Sequence, residues 1–435
     1  MERFALSRMK EWKENENRKP LIIRGARQVG KTWIMKTFGQ QYFEKTAYVN
    51  FDNNARMKQV FEGDLDIERL VLAISAETGV SIEAENTLII FDEVQEVPKA
   101  LTSLKYFHEN APQYAIVAAG SLLGVALHQG TSFPVGKVDF LDLYPLNFRE
   151  FLCAMGEKQF VSMLDSCDTQ MVTVFKTKYI ERLREYYFVG GMPEVVKDFS
   201  EKKDYNRVRA IQKNLINYYQ QDFSKHAEIK LVPRLNLVWN SIPMQLAKEN
   251  KKYIYGQVSE GRRAKDFDLA IQWLLDCGLI HKVQRIQKPD LPLKAYIDFD
   301  AFKLFLVDIG LLIAMTDLDA KVIIEGNKIF TEFKGSLTEQ YILQQLISDV
   351  GVIPYYYSTQ NSKGEIDFLV QGKTSVIPIE VKAEENLKAK SLKAFCEKYQ
   401  PSYAVRTSMS DYREQDWMTN IPLYAIKWIE NYVNQ

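Results

Sequence analysis

Residues 25–32 limit what this chain can fold into more than any other segment, because they match the pattern G-x-x-x-x-G-K-[ST]. An apolar run precedes them at residues 21–23, and a helical pattern follows them through Phe38. In that context glycines let a loop wrap phosphates with backbone N–H groups, and the helix N-terminus adds a favourable dipole. We therefore predict that ATP binds this loop, through Gly25, Ala26, Arg27, Gln28, Val29, Gly30, Lys31 and Thr32.

Two residues of this loop and two after a later strand carry the chemistry of ATP hydrolysis. Lys31 would reach the β- and γ-phosphates, and Thr32 would offer its hydroxyl to Mg²⁺. The apolar run at residues 87–91 ends in Asp92 and Glu93. We expect Asp92 to hold Mg²⁺ and Glu93 to polarise the attacking water. ATP and Mg²⁺ are thus the predicted cofactors, and Lys31 and Glu93 are the predicted catalytic residues.

The apolar runs around these motifs predict an α/β fold with a parallel sheet. The runs at residues 47–51, 87–91 and 114–119 are continuous rather than alternating, and helical patterns separate them. This is typical of a parallel sheet that is covered on both faces. The last run ends in Gly120 and Ser121, and in an AAA-type ATPase a polar residue at this strand tip senses the γ-phosphate. Ser121 is the candidate, and the alternative is a serine that caps the following turn.

A length of 435 residues is too great for one ordinary domain. Four regions are predicted. They are an AAA-type P-loop ATPase core at 1–150, a helical lid or connector at 151–230, a winged-helix-like domain at 231–330 and a nuclease-like α/β domain at 331–435. The third is indicated by small helices followed by strands. The fourth is indicated by the order helix–strand–strand–strand–helix–strand, which resembles the restriction-endonuclease-like core of the PD-(D/E)xK superfamily.

Two neighbouring strand patterns near the end of the chain carry a second candidate site. Alternation along a strand places Glu380 and Lys382 on one face, where Asp367 of the neighbouring strand can meet them. Two carboxylates that hold Mg²⁺ or Mn²⁺ beside a lysine suit phosphodiester hydrolysis. The predicted catalytic and metal-binding residues are Asp367, Glu380 and Lys382, with Glu339 on the preceding helix as a further metal ligand. The alternative is a domain that keeps this fold as a binding platform and does not cut.

Seven segments of the chain form a recognisable set. They are RGARQVGKT at 24–32, YVNF at 48–51, FDEVQ at 91–95, AGS at 119–121, PLNFREF at 145–151, GGMPE at 190–194 and FKLFLVDIGLL at 302–312. Together they resemble a prokaryotic family, the AAA-superfamily ATPases whose C-terminal half is a conserved domain of unknown function. The resemblance covers essentially the whole chain and implies an ATP-binding core.

One position departs from that family. Its members usually carry Gly-Arg shortly before the Pro-Leu-x-Phe segment, whereas this chain has Gly136 and Lys137. If that arginine steadies charge in the transition state, lysine is a weaker substitute because it cannot form a bidentate contact. Hydrolysis is then expected to be slow, or another arginine such as Arg149 serves instead. The arginine finger therefore stays unassigned.

Charge bears on the expected partners. The chain has 56 Lys+Arg and 56 Asp+Glu, so no overall field attracts nucleic acid or an acidic membrane. Residues 201–266 nevertheless carry 14 Lys+Arg against 7 Asp+Glu. Basic side chains flank the predicted recognition helix of the winged-helix-like region, namely Lys251, Lys252, Arg262, Arg263 and Lys265. DNA is therefore a predicted partner, and the alternative is a basic face that packs against another subunit.

Two functions follow from these patterns. The preferred one is an ATP-driven protein that acts on DNA through a nuclease-like domain. The alternative is an ATP-gated protein-interaction switch in which that domain only binds, with a second copy of the chain or another protein as partner. The sequence has no apolar run of 18 residues, no secretory signal pattern and no CxxC among its four cysteines. A cytoplasmic location without a membrane partner is therefore expected.

Overall fold

The structure is a computed structural model that describes residues 2–120, 133–248, 252–258, 263–325, 331–359, 364–385 and 389–435. The chain divides into two compact units. We call residues 2–144 with 276–279 the N-terminal unit, and residues 145–275 with 280–435 the C-terminal unit. Among the described helices, none combines the length and apolar character that crossing a membrane requires.

The N-terminal unit is built on a five-stranded sheet in the order β2-β3-β4-β1-β5, with every described pairing parallel. Every residue of β3 and β4 is buried, which explains their continuous apolar sequence. The predicted parallel sheet is thus confirmed. Its strands are β1 Leu21–Arg24, β2 Lys45–Asn50, β3 Thr87–Asp92, β4 Ala115–Ala119 and β5 Asp139–Asp142. Its helices are α1 Ala5–Glu14, α2 Lys31–Tyr42, α3 Ala55–Glu62, α4 Ile67–Thr78 and α5 Pro98–Asn110.

Three phenylalanines join the sheet to α3 in the core of this unit. Phe51, Phe61 and Phe91 meet edge to face, with ring centroids 5.4 to 5.7 Å apart. This geometry is favoured between aromatic rings beyond the area that they bury. Phe91 is the penultimate residue of β3, so the cluster packs α3 against the end of that strand.

The C-terminal unit combines helices with an eight-stranded mixed sheet in the order β12-β13-β11-β10-β9-β8-β6-β7. The strands are β6 Ile280–Ile286, β7 Ile297–Leu306, β8 Tyr355–Ser358, β9 Glu365–Gln371, β10 Val376–Val381, β11 Val405–Ser408, β12 Arg413–Glu414 and β13 Thr419–Pro422. The helices are α6 Phe148–Ala154, α7 Lys158–Asp165, α8 Thr169–Val174, α9 Lys176–Val189, α10 Pro193–Lys202, α11 Tyr205–His226, α12 Val232–Leu246, α13 Tyr255–Val258, α14 Ala264–Asp276, α15 Ile309–Met315, α16 Ala320–Ile324, α17 Thr331–Gln345, α18 Lys390–Tyr399 and α19 Glu430–Val433.

The mixed sheet bears on the predicted regions. The elements from α17 to β11 follow the expected order helix–strand–strand–strand–helix–strand. The hairpin of β6 and β7 joins the same sheet, because β6 pairs with β8 at Arg285↔Tyr356 and Ile286↔Tyr357. One sheet therefore contains strands from both sides of the boundary expected at residue 330. The three boundaries between the predicted regions, the winged-helix-like assignment and the nuclease-like assignment stay predictions.

The carboxylate of Asp308 is the buried polar centre of the C-terminal unit, with no exposed surface. Its Oδ1 accepts a hydrogen bond from the backbone N–H of Leu311 at 3.1 Å and so caps α15. Its Oδ2 accepts one from the backbone N–H of Gly191 at 2.6 Å and one from Nε2 of Gln344 at 3.4 Å. Burial raises the pKa of Asp308 to about 6, although these donors oppose the shift.

A second contact ties the same glycine to the start of the unit. The N–H of Leu146 donates to the carbonyl of Gly191 at 2.7 Å, and the hydroxyl of Tyr186 donates to the carbonyl of Leu146 at 2.6 Å. The next residue, Asn147, forms a capping box with Glu150 at the start of α6. Three of the segments that carried the family resemblance, at 145–151, 190–194 and 302–312, therefore meet at one structural centre.

The close packing at Gly191 predicts that adding a methyl group there lowers the free energy of unfolding. A Cβ there would lie far inside van der Waals contact of the Leu146 carbonyl oxygen, which belongs to the backbone and cannot swing away. Gly191→Ala should therefore lower the free energy of unfolding by at least about 2 kcal/mol. Urea denaturation followed by tryptophan fluorescence measures it. Gly335→Ala is the control, because Gly335 lies within α17 with open space where its Cβ would be. Equal midpoints for the two variants would contradict the prediction.

Candidate functional site

The predicted phosphate loop, residues 25–32, lies between the carboxyl end of β1 and the start of α2. Gly25 has a φ of +151°, and a Cβ there would collide with the backbone carbonyl of Leu143. Gly30 has a φ of 95° and is the N-cap of α2. Both conformations favour glycine. The two glycines of the motif are therefore needed for the path of the loop as well as for its approach to phosphates.

Lys31 is held inside this loop, with only 7% of its surface exposed. Its Nζ donates to the carbonyl oxygens of Gly25 at 2.9 Å and Ala26 at 2.8 Å. Burial lowers the pKa of Lys31 to about 8, against the opposing effect of Glu93 and Asp92. A buried ammonium of this kind is stabilised further by any anion that enters the loop, which is the property that a phosphate-binding lysine requires.

Asp92, the last residue of β3, brings three parts of the sequence together. Its Oδ2 accepts hydrogen bonds from the Thr32 hydroxyl at 2.7 Å and the Tyr48 hydroxyl at 2.9 Å, and its Oδ1 accepts one from the N–H of Glu93 at 3.1 Å. The structure thus places two predicted Mg²⁺ ligands, Thr32 and Asp92, in direct contact. A hydroxyl and a carboxylate oxygen are the hard ligands that Mg²⁺ prefers, so these residues fit that ion.

Tyr48 is a site residue that sequence reasoning missed. It lies on β2, which pairs in parallel with β3 and so carries its side chain to the same end of the sheet. Burial and the neighbouring carboxylate of Asp92 raise the pKa of Tyr48. The hydroxyl therefore stays protonated and remains a donor to Asp92. The parallel register of the two strands was the available signal, but a single sequence does not give that register.

Glu93 follows Asp92 in a left-handed conformation, with a φ of 51°. The turn directs the chain out of the sheet, and Nε2 of Gln95 donates to Oε2 of Glu93 at 2.7 Å. An amide that holds one oxygen of a carboxylate orients the group without neutralising it. Gln95 therefore acts as a positioning residue for the predicted catalytic carboxylate.

Two segments that the sequence did not connect to the loop lie against it in the N-terminal unit. Arg3 donates to the carbonyl of Val29 at 3.0 Å and to that of Tyr144 at 2.6 Å. Gly278 approaches so closely that a Cβ on it would stand 3.1 Å from the backbone nitrogen of Ala26. The loop is thus supported from positions far away in the sequence on both sides.

The remaining candidates for the nucleotide site have different surroundings. Lys137 forms an ion pair with Glu109 at 2.9 Å. Arg149 belongs to the C-terminal unit, where it bonds with Asp349 at 2.8 Å and also with Asp165. Ser121 lies outside the described residues. The arginine finger is therefore still unassigned, and the γ-phosphate sensor stays a prediction.

The second candidate site lies on β9 and β10. The antiparallel register pairs Phe368 with Ile379, and one further step places Asp367 opposite Glu380. Asp367 Oδ2 accepts the N–H of Val381 at 2.7 Å. Glu380 Oε1 forms an ion pair with Lys382 at 2.6 Å. The structure therefore brings the three predicted core residues of this site together.

Glu339 meets a cation that sequence analysis did not include. Lys303 on β7 is fully buried, and its Nζ lies 3.6 Å from Oε2 of Glu339 and bonds with Glu365. Burial by itself would lower the pKa of Lys303, but the carboxylates of Glu339, Glu365 and Asp367 outweigh it and the pKa is raised. Lys303 is therefore a permanent ammonium among these carboxylates.

In the structure, the acidic residues of this second site are met by donor groups of the chain itself. Within the described ranges, no three His, Cys, Asp or Glu side chains are arranged so that they could hold a metal. Asp367 and Glu380 accept hydrogen bonds from backbone N–H groups, Glu380 also pairs with Lys382, and Glu339 forms an ion pair with Lys303. The predicted Mg²⁺ or Mn²⁺ site at Asp367, Glu380 and Glu339 therefore stays a prediction.

A five-stranded parallel sheet, a glycine loop at the end of β1 and a carboxylate at the end of β3 define a P-loop ATPase domain of the AAA type. Residues 17–152 match a family model described as AAA domain, so the chain contains an AAA domain over those residues. Two further models, both for domains of unknown function, match residues 180–322 (DUF8612) and 334–426 (DUF4143). The predicted AAA P-loop core followed by a C-terminal domain of unknown function is thereby confirmed.

Three solved structures with some likeness to the chain come from Pyrococcus abyssi, Aeropyrum pernix and Pyrobaculum aerophilum. A Walker-type ATPase of Pyrococcus abyssi is 15% identical over 72% of this chain and 95% of its own, with a TM-score of 0.44. The ORC1 protein of Aeropyrum pernix in complex with DNA is 14% identical over 72% and 91%, with a TM-score of 0.27. Cdc6p from Pyrobaculum aerophilum is 11% identical over 74% and 93%, with a TM-score of 0.25. At these values the likenesses carry no argument about function. A comparison with curated proteins finds no match.

We predict that removing the Tyr48 hydroxyl causes a partial loss of ATP turnover. Tyr48→Phe keeps the ring and deletes one donor to Asp92, so the carboxylate is less firmly held. We expect ATP turnover to fall about three- to tenfold, in line with the loss of roughly 1 kcal/mol, and the Mg²⁺ concentration for half-maximal activity to change. Steady-state phosphate release across a Mg²⁺ titration measures both.

The control is Tyr114→Phe. Tyr114 directly precedes β4 and so lies at the opposite end of the sheet from Asp92, which pairs with Ala119. This variant should retain wild-type turnover and Mg²⁺ dependence. If Tyr48→Phe behaved like Tyr114→Phe, the hydroxyl would have no role in positioning Asp92.

Proposed function

We propose that the protein binds ATP in its AAA domain and hydrolyses it with Mg²⁺. The observation that carries this proposal is the 2.7 Å hydrogen bond between the Thr32 hydroxyl and the Asp92 carboxylate. It joins the phosphate loop to the end of β3, where hydrolysis requires a metal-binding carboxylate. The buried ammonium of Lys31 supports the proposal. It donates to two backbone carbonyl oxygens of the same loop, and a phosphate oxygen would be a charged acceptor in their place.

The residues divide the work of hydrolysis. Backbone N–H groups of residues 25–32 hold the phosphates, and Lys31 exchanges its two carbonyl partners for phosphate oxygens. Mg²⁺, when bound by Thr32 and Asp92, supplies positive charge that neutralises the phosphates. Glu93, held by Gln95, orients the attacking water and takes its proton as the water oxygen bonds to the γ-phosphorus. The bond to the bridging oxygen breaks, and ADP and phosphate leave.

Removing the Lys31 ammonium tests the nucleotide site directly. Lys31→Ala should lower ATP turnover by about a hundredfold or more, because a preorganised charge aimed at the phosphates is lost. Phosphate release measures this change, and Lys10→Ala on the exposed face of α1 is the matched control. Unchanged turnover in the Lys31 variant would refute the site.

We propose as a second function that the protein acts on DNA through its C-terminal unit. The observation that favours this is the order of α12, α13 and α14 followed by the antiparallel hairpin of β6 and β7, as a winged helix requires. Arg263 and Lys265 are exposed at the start of α14, where they could reach a DNA backbone. Lys252 is half-buried nearby in the sequence, and Lys251 and Arg262 lie outside the described residues.

Salt dependence tests this second function. If phosphate contacts dominate, the logarithm of the DNA affinity should fall steeply and linearly with the logarithm of the salt concentration. Arg263→Ala with Lys265→Ala should weaken binding at low salt and reduce the slope by about 2, because two phosphate contacts are lost. Fluorescence anisotropy with a short labelled duplex measures both quantities.

The matched control makes the same change of charge in the other unit. Lys10→Ala with Lys58→Ala removes two exposed lysines from α1 and α3 and should leave the slope unchanged. Salt-independent or absent DNA binding in the wild type would reject the DNA proposal. It would leave the ATP-gated protein-interaction switch, with a protein partner or a second copy of the chain, as the interpretation.

A further inference from the structure

The C-terminal carboxylate cluster, which we define as Glu339, Glu365, Asp367 and Glu380, encloses a lysine that comes from outside the nuclease-like motif. Lys303 lies on β7, whereas the acidic residues lie on α17, β9 and β10. Its side chain is 1% exposed, and its Nζ contacts the carboxylates of Glu339 and Glu365. The same Nζ stands 4.8 Å from the centre of the Tyr356 ring. The ammonium is thus enclosed on several sides by negative charge and by an aromatic face.

The other two carboxylates of the cluster are also met by donors of the chain. Asp367 accepts from the backbone N–H of Val381. Glu380, which is 4% exposed, bonds through Oε1 to Lys382 and through Oε2 to the N–H of Leu392 at 3.0 Å. The guanidinium of Arg406 acts on Glu380 electrostatically as well. Each carboxylate therefore already has a partner that is covalently part of the protein.

We propose that Lys303 is the resident cation of this cluster, and that it stands where the nuclease-like fold would place a divalent metal ion. Mg²⁺ and Mn²⁺ need about six oxygen ligands in a regular arrangement, and here those oxygens point at ammonium and N–H groups. A metal that entered would leave the Lys303 ammonium buried beside a dication, without water to screen the repulsion. The cluster consequently loads no divalent metal, and the C-terminal unit binds DNA without cutting it.

Mn²⁺ binding to the full-length, nucleotide-free protein tests the proposal. The electron paramagnetic resonance signal of free Mn²⁺ measures how much of the ion is bound. All proteins carry Asp92→Asn, so that the AAA domain does not contribute. The protein with Lys303 intact should bind no Mn²⁺ that depends on Asp367. Stoichiometric binding that Asp367→Asn removes would overturn the proposal, and this result does not require any variant of Lys303 to fold.

The converse experiment replaces the ammonium with a side chain of similar length and no charge. Lys303→Met should bind Mn²⁺ at least tenfold more tightly than the parent, and Asp367→Asn added to it should abolish the gain. Circular dichroism first establishes that the variant is folded. A folded Lys303→Met that binds Mn²⁺ no better than the parent would show that the lysine is not what excludes the metal, and would overturn the proposal.

Cleavage assays give an independent readout. The statement that the C-terminal unit binds DNA without cutting it rests on the DNA proposal, and these assays test the two separately. Single- and double-stranded DNA are incubated with Mg²⁺ or Mn²⁺, with and without ATP. Wild type and Asp367→Ala should give the same background, while anisotropy reports binding separately. Cleavage by wild type that Asp367→Ala abolishes would overturn the inference. Absence of DNA binding would reject only the DNA proposal, because the Mn²⁺ titration needs no DNA.

Discussion

A carboxylate removed from water must be met by hydrogen-bond donors or by a cation, because leaving it unsatisfied costs more than the roughly 1–3 kcal/mol of a neutral polar group. Both units of this protein are organised around carboxylates in that position. Asp92 is 3% exposed, Asp308 is not exposed and Glu380 is 4% exposed. Asp92 and Asp308 each join segments that are distant in the sequence, and Glu380 joins β10 to the start of α18. The partners of each carboxylate therefore decide both the local fold and what the site can do.

The kind of partner separates the structural carboxylate from the candidate functional ones. Asp308 is met by two backbone N–H groups and a buried amide, which cannot leave without unfolding their segments. Asp92 is met by the backbone N–H of Glu93 and by two hydroxyls, which can rotate away. A hydroxyl can also become a metal ligand itself, as Thr32 is proposed to do. The two hydroxyl partners of Asp92 therefore suit a site that exchanges ions, whereas the fixed partners of Asp308 suit a permanent joint.

The residues proposed for the nucleotide site could be picked out of the sequence because the patterns that mark them are local. The spacing of Gly25, Gly30, Lys31 and Thr32, and a buried strand that ends in Asp92, follow from short patterns. Tyr48 and Lys303 were missed because their roles depend on strand pairing, and pairing is a long-range property. The segment at 190–194 was recognised only as part of the family resemblance, because the carboxylate that holds Gly191, that of Asp308, lies 117 residues away. Local patterns thus indicated the candidate site residues, whereas the residues that bond to them could be identified only from the folded structure.

A carboxylate cluster that pairs with a lysine of the same chain differs from one that binds a free metal ion, because the lysine is always present. A divalent ion binds according to its concentration, so a cluster that relies on it is complete only when the ion is present. Lys303 is present at unit stoichiometry in every molecule, and its position on β7 ties the hairpin of β6 and β7 to α17 and β9 through Glu339 and Glu365. The cluster thus holds the two halves of the mixed sheet together at any metal concentration. A carboxylate arrangement typical of metal-dependent cleavage can in this way serve the stability of a binding domain instead.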